Sequence, residues 1–341
     1  MAASASITLH IGKAIPQGNE NETRRIIDLW KEIEKHLKEQ DFAALDGING
    51  STGSYRILLD TSELLQRMEQ ALTHSGSFTA YQKAQVEQAD LPVDAKLHLQ
   101  IQSTGGELKE TESYQVATIF LQQLVLLANI IAPGSIQILD ARYIGPGAHR
   151  YEAQNFDSRV LHGALRASVN NEWPPLRNLT VEQVWAWLEQ CETSQTDTAI
   201  ADHNKVLFTL LKVAEQRQEY SARTVLLVLY QLEVLLACRY EKSPARIRNR
   251  LQMVLGRLPE AADCFVELYE VRHSLFHANQ PVHRPPLICH TTAKAQRKQL
   301  GQHNTAVESG TVLVLALLQD MIESGTRRYE FHESLKRKTE A

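Results

Sequence analysis

The sequence is sparing with the residues that usually announce a function. Cysteine occurs four times in 341 residues (Cys191, Cys238, Cys264, Cys289), widely spaced and never as CxxC. That pattern gives no disulfide framework and fits a reducing, cytoplasmic compartment. No run of roughly 18 apolar residues is free of polar ones. The longest candidate, from Val116 to Ala132, is broken by Gln122, Gln123 and Asn129, so no membrane span is expected. The N-terminal Met-Ala-Ala-Ser-Ala-Ser lacks the basic start and apolar core of a signal peptide. Neither GxxxxGK[ST] nor GxGxxG occurs, which argues against an NTPase or dinucleotide domain. The glycine-rich Gly47-Ile-Asn-Gly50-Ser-Thr-Gly53 lacks a lysine and precedes a strand rather than a helix, so it reads as a loop. HExxH and GxSxG are also absent.

The composition that remains is globular, 43% hydrophobic and 22% charged, and excludes collagen-like and wholly disordered chains. The length suffices for two domains with their own cores. The net charge of -4 conceals an asymmetry. Residues 1–200 hold 16 Lys/Arg against 25 Asp/Glu (-9), and residues 201–341 hold 20 against 15 (+5). A polyanion would therefore meet the back half.

Periodicity divides the chain in the same place. Ile7-Thr-Leu-His-Ile11, Tyr55-Arg-Ile-Leu-Leu-Asp60, Lys96-Leu-His-Leu-Gln-Ile-Gln102 and Ser135-Ile-Gln-Ile-Leu139 predict strands. Between them, Ile26, Leu29, Trp30, Ile33 and Leu37 take helical spacing, Thr61 or Ser62 caps a second helix, and Ser113 to Ala132 makes a third, stopped by Pro133-Gly134. Thr180 starts a short helix with Val184, Trp185, Trp187 and Leu188, its tryptophans read as core anchors. From His203 only the helical period appears, with helices at about 203–220, 222–241, 244–257, 260–278 and 303–324. The fold class expected is α+β in two domains. A small mixed α/β unit over 1–150 is followed by a loop-rich connector over 151–200 and an all-α bundle over 201–341.

The chemistry concentrates at 260–278. Cys264, Leu268, Val271 and Leu275 form one apolar stripe, flanked by Arg272, His273 and His277. Asn279 and Pro281 end the helix, and a long basic loop to Gln302 carries Arg284, Lys294, Arg297 and Lys298 with no acidic residue. Arg272 and His277 are five apart, about 140° round an ideal helix. They converge on one ligand only if the helix end loosens or a second chain completes the site. His273 and His277 could chelate a metal with His283, Cys289 or His290, but the helix-to-loop spacing is loose, and neither a metal nor a cofactor is expected.

The segment from Glu267 to Asn279 resembles the HEPN helical domains, closest to their Apea-like branch. Arg272, a polar His273 and His277 occupy the family's Arg-polar-spacer-His signature, with Leu268-Tyr269 as the preceding pair. The resemblance covers about residues 203–325 and does not extend to the N-terminal part. It implies a HEPN-type bundle and a metal-independent endoribonuclease, active as a homodimer on single-stranded RNA and serving as a prokaryotic toxin or anti-phage effector. His277 would be the general acid/base, Arg272 the phosphate clamp and His273 an orienting group. Asn279, Arg284, Lys294, Arg297 and Lys298 would contact the RNA backbone. Glu233 would pair with Arg272 if it faces the motif helix, with Tyr269 supporting. Where some members carry a Tyr two residues after the His, this chain has Asn279, so control by modification there is not expected. The N-terminal unit would take a regulatory ligand or protein. The alternative is a non-catalytic module that dimerises or docks a partner.

Overall fold

The computed structural model describes residues 4–12, 20–38, 40–46, 51–73, 95–104, 108–136, 138–144, 155–157, 159–215, 222–238, 244–257, 264–276 and 294–332. The chain is α+β and mostly helical. Five strands are described: β1 (Ser4–Gly12), β2 (Asp41–Asp46), β3 (Ser51–Asp60), β4 (Ala95–Ser103) and β5 (Leu139–Ile144). They form one antiparallel sheet in the order β2-β3-β4-β1-β5. Strand β4 alternates buried Leu97, Leu99 and Ile101 with exposed Lys96, His98 and Gln100, as a sheet packed on one face requires.

That face is covered by α1 (Glu20–Leu37), α2 (Ser62–Thr73) and α3 (Glu110–Ile131). Helix α1 turns Ile26, Leu29, Trp30, Ile33 and Leu37 inward. Glu34, also on α1, accepts from the Thr61 hydroxyl at 2.5 Å and ties α1 to the start of α2. Helix α3 ends where its carbonyls find other partners. Asn129 Oδ1 accepts from the Gly134 N–H, Ser135 Oγ donates to Ala128 O, and Gly134 takes φ +82°. A Cβ on Gly134 would lie 2.5 Å from the His162 Cβ, so only glycine fits there.

Two helices follow, α4 (Arg159–Asn171) and α5 (Val181–Gln190). Helix α5 begins on a capping box between Thr180 and Gln183 and buries Trp185 and Trp187. Trp185 lies edge-on to His36 and near Phe42, which in turn meets Phe120. Then come α6 (Asp202–Ala214), α7 (Ala222–Leu235), α8 (Pro244–Leu255), α9 (Cys264–Phe276) and α10 (Lys294–Glu323). Helix α10 packs on α4, α7, α8 and α9 and reaches α3 and α5. Helices α3 and α10 have the length and mean hydropathy of membrane spans, but their apolar windows are 78% and 83% buried inside the protein. One set of buried side chains runs from Ile7 in the sheet to Ile322 in α10.

Three sequence expectations change. The strand read at 135–139 is displaced: Ser135 and Ile136 are in no strand, Ile138 makes a single bridge to Phe156, and the fifth strand starts at Leu139. Helix α4 lies inside the stretch read as loop. Its buried face is Val160, Leu161, Gly163, Ala164 and Ser168, and it carries a helix-weakening glycine between Gly145-Pro-Gly147 and Trp173-Pro-Pro175, which read as loop. A Cβ on Gly163 would collide with the Glu308 carboxylate, which shows how closely α4 and α10 pass. The basic loop to Gln302 is helical from Lys294, so Lys294, Arg297 and Lys298 stand on the first turns of α10. That segment has no apolar period, but most of its residues favour a helix.

Candidate functional site

The candidate site lies where α7, α8 and α9 meet the middle of α10. Gly310 of α10 allows the approach. A Cβ there would sit 2.5 Å from Val228 of α7 and 2.7 Å from Leu268 of α9. The last turn of α7 is fixed from outside. Ala237 adopts φ +52°, and the Cys238 N–H bonds the Glu233 carbonyl at 2.8 Å, closing the helix. Arg250 of α8 donates to the carbonyls of Leu236 and Ala237 at 2.7 and 3.0 Å, a cation at a helix C-terminus. The central carbon of the Arg250 guanidinium lies over the Phe331 ring, 4.6 Å from its centre.

Glu233, in that same turn, faces α9. Its Oε1 lies 3.5 Å from Arg272 Nη1 and accepts from the Tyr269 hydroxyl at 3.4 Å. The Arg272 guanidinium also sits 5.6 Å from the centre of the Tyr269 ring. The Arg272 and Glu233 side chains are 20% and 15% exposed, so the pair is sheltered but not sealed. Burial, then the Glu233 carboxylate, pushes the Tyr269 phenol far up, and it remains a hydrogen-bond donor.

His273 points elsewhere. It is exposed and lines an open groove of about 570 Å³ with Pro244, Val266, Tyr269, Glu270, Val271, Ser274 and Gln302. Arg272 thus turns toward α7 and His273 toward the groove under α8, with Tyr269 between them. His277, Asn279 and Arg284 lie outside the described residues. Among the described residues no group of three His, Cys, Asp or Glu could hold a metal ion. Periodicity alone did not reveal the groove wall or Arg250. The signal available was the run from Lys242 to Arg257, which holds five cations and no acid.

The arrangement can hold an arginine in a fixed pose beside a solvent-open groove that presents an imidazole. No model of a known protein family matches the chain, and no curated protein or solved structure matches it significantly.

Proposed function

We propose that the chain is a metal-independent endoribonuclease of HEPN type, acting on single-stranded RNA as a homodimer. In this reading a small sheet-bearing regulatory unit precedes the helical catalytic one. The observation that carries it is the anchoring of Arg272 by Glu233 and Tyr269 next to a groove lined by His273. Arginine offers five N–H donors in a planar fork, and Glu233 engages one edge of it. A planar, permanently charged guanidinium suits the extra charge of a phosphorane. Histidine titrates near neutrality and suits proton transfer from the ribose 2′-hydroxyl and to the leaving 5′-oxygen. His277 takes that role, with His273 orienting.

Within one chain Arg272 and His273 face different sides, so a second copy across a symmetry axis would complete the site. Asn279, Arg284, Lys294, Arg297 and Lys298 would line the RNA path. A cytoplasmic toxin or anti-phage role follows from the resemblance of the motif. One observation favours a second reading. Arg272 is already engaged by Glu233, which also suits a structural anchor in a non-catalytic dimerisation or partner-binding module.

The test is incubation of mixed RNAs in chelator, wild type beside Arg272→Ala and His277→Ala, with the ends mapped. The nuclease reading expects 2′,3′-cyclic phosphate ends from wild type and at least about a hundredfold loss in both variants. It also expects loss of cutting in His273→Ala with unfolding unchanged, because that side chain is exposed. Cutting that survives both main substitutions overturns it.

A further inference from the structure

Helix α8 carries no assigned role, yet among the described elements it holds three arginines and no acid. From Lys242 to Arg257 the sequence holds Lys242, Arg246, Arg248, Arg250 and Arg257 and no Asp or Glu. Arg246, Arg248 and Arg250 lie on the helix itself, whose faces have different tasks. Ile247 and Leu251 are buried and seat it on the bundle. Arg250 is engaged by the carbonyls that end α7. The outward face presents Ala245, Arg248, Asn249 and Met253, and Arg257 follows the positive-φ Gly256. Met253 is 68% exposed on that face. At its other end α8 meets the groove, because its first residue, Pro244, forms part of the wall that His273 also lines. Arg248 stands one turn, about 6 Å, further along from Pro244 on nearly the same face.

We infer that the outer face of α8 is the track along which single-stranded RNA leaves the His273 groove. Arg248 and Arg257 hold its phosphates, and Asn249 and Met253 meet its unpaired bases. The ligand class rests on the RNA reading above, whereas the placement rests on α8 itself. Two arginines beside an amide and a thioether suit a charged backbone with hydrogen-bonding, flat bases. A membrane surface is a poorer match. A helix lying on lipid needs its apolar face free, and α8 has given Ile247 and Leu251 to the core.

The test uses the full chain and a fluorescent single-stranded 2′-O-methyl RNA oligomer, which 2′-hydroxyl attack cannot cut. Anisotropy gives Kd and its salt dependence for wild type, Arg248→Glu, Arg248→Gln, Arg257→Glu and a control, Arg166→Glu, on the exposed side of α4. Thermal unfolding accompanies each variant, and Arg248→Gln serves if the reversal perturbs the fold. Each charge reversal on α8 is expected to weaken binding about tenfold or more and to flatten the salt slope by about 0.7 per cation lost. Arg166→Glu should bind as wild type. Wild-type affinity in the α8 variants, or equal weakening in Arg166→Glu, overturns the inference. So does α8-dependent binding to phosphatidylserine vesicles without binding to RNA. Cleavage of unmodified RNA, measured in parallel, separates this claim from the nuclease. A wild type that binds through α8 but never cuts would retire the nuclease and leave the track. A wild type that cuts, beside α8 variants that cut and bind equally well, would do the reverse.

Discussion

Arg272 on α9 reaches Glu233 on α7 at 3.5 Å, and this contact between two mostly buried charges fixes the direction of the guanidinium. Removing one partner of such a pair strands the other in a poorly solvated place. Glu233→Ala should therefore lower unfolding free energy by about 1–3 kcal/mol in urea titrations, discounted from a fully buried pair because both groups keep some solvent. A double-mutant cycle with Arg272→Ala should return a coupling of about 1 kcal/mol or more. If the coupling is zero within error, the contact does not anchor Arg272. RNA cutting, if present, should fall in Glu233→Ala through misplacement of Arg272.

Burial raises the pKa of three phenols, those of Tyr143, Tyr269 and Tyr329. For Tyr269 and Tyr329 a neighbouring carboxylate, Glu233 or Asp320, adds to the effect. A raised folded-state pKa means that the neutral phenol stabilises the fold fully below about pH 10, the ordinary tyrosine value. Above that the unfolded chain ionises first, and stability falls as pH climbs toward the folded values. Alkaline titration followed by phenolate absorbance should show at least three of the ten tyrosines ionising only together with loss of helical circular dichroism. Ten tyrosines titrating near pH 10 with the fold intact would contradict the burial.

Gln319 of α10 is fully buried and bonds in two directions. Its Nε2 donates to Ile130 O at the end of α3, and its Oε1 accepts from the Arg177 N–H at 2.6 Å. Arg177 in turn bonds Asp320 at 2.5 Å. One amide therefore joins the sheet's covering helix, the segment before α5 and the central bundle helix. Gln319→Leu leaves an orphaned carbonyl and an orphaned N–H, at about 1–3 kcal/mol each. A total loss of about 2–6 kcal/mol is expected, with tryptophan fluorescence and far-ultraviolet circular dichroism moving together. Separate transitions by the two probes would mean that Gln319 does not couple the layers.

The legibility of this chain followed how each element gains its stability. Helix α1 and strand β4 announced themselves because Ile26, Trp30 and Ile33, or Leu97, Leu99 and Ile101, must face one way. Helix α4 was hidden because it sits between the loop signals Gly145-Pro-Gly147 and Trp173-Pro-Pro175 and carries Gly163, which weakens a helix yet lets it pass close to Glu308 of α10. The first turns of α10 were hidden for a different reason, since Lys294 to Gln302 is polar throughout except for Ala295, Leu300 and Gly301 and follows local propensity. Strand β2 was missed because its six residues alternate only weakly, and its place depends on pairing with β3. At the site, spacing along α9 put Arg272 and His273 beside an apolar stripe. Only the crossing of α7, α8 and α9 shows that the first turns to Glu233 and the second to the groove.

Gly310 tests whether that crossing is what holds the site. Its missing side chain lets α10 press on Val228 of α7 and Leu268 of α9, the two helices that bear Glu233 and Arg272. Gly301, on the same helix, is exposed, and a Cβ added there would meet nothing within 4 Å. The two glycines should therefore respond oppositely. Gly301→Ala removes a flexible residue from a helix and should stabilise by up to about 1 kcal/mol. Gly310→Val must push Val228 and Leu268 aside in a filled core and should destabilise by about 1–3 kcal/mol. Because the displaced side chains belong to α7 and α9, the Glu233–Arg272 coupling measured by double-mutant cycle should shrink in the Gly310→Val background and persist with Gly301→Ala. An undiminished coupling would locate the anchoring of Arg272 in α7 and α9 alone, without help from α10.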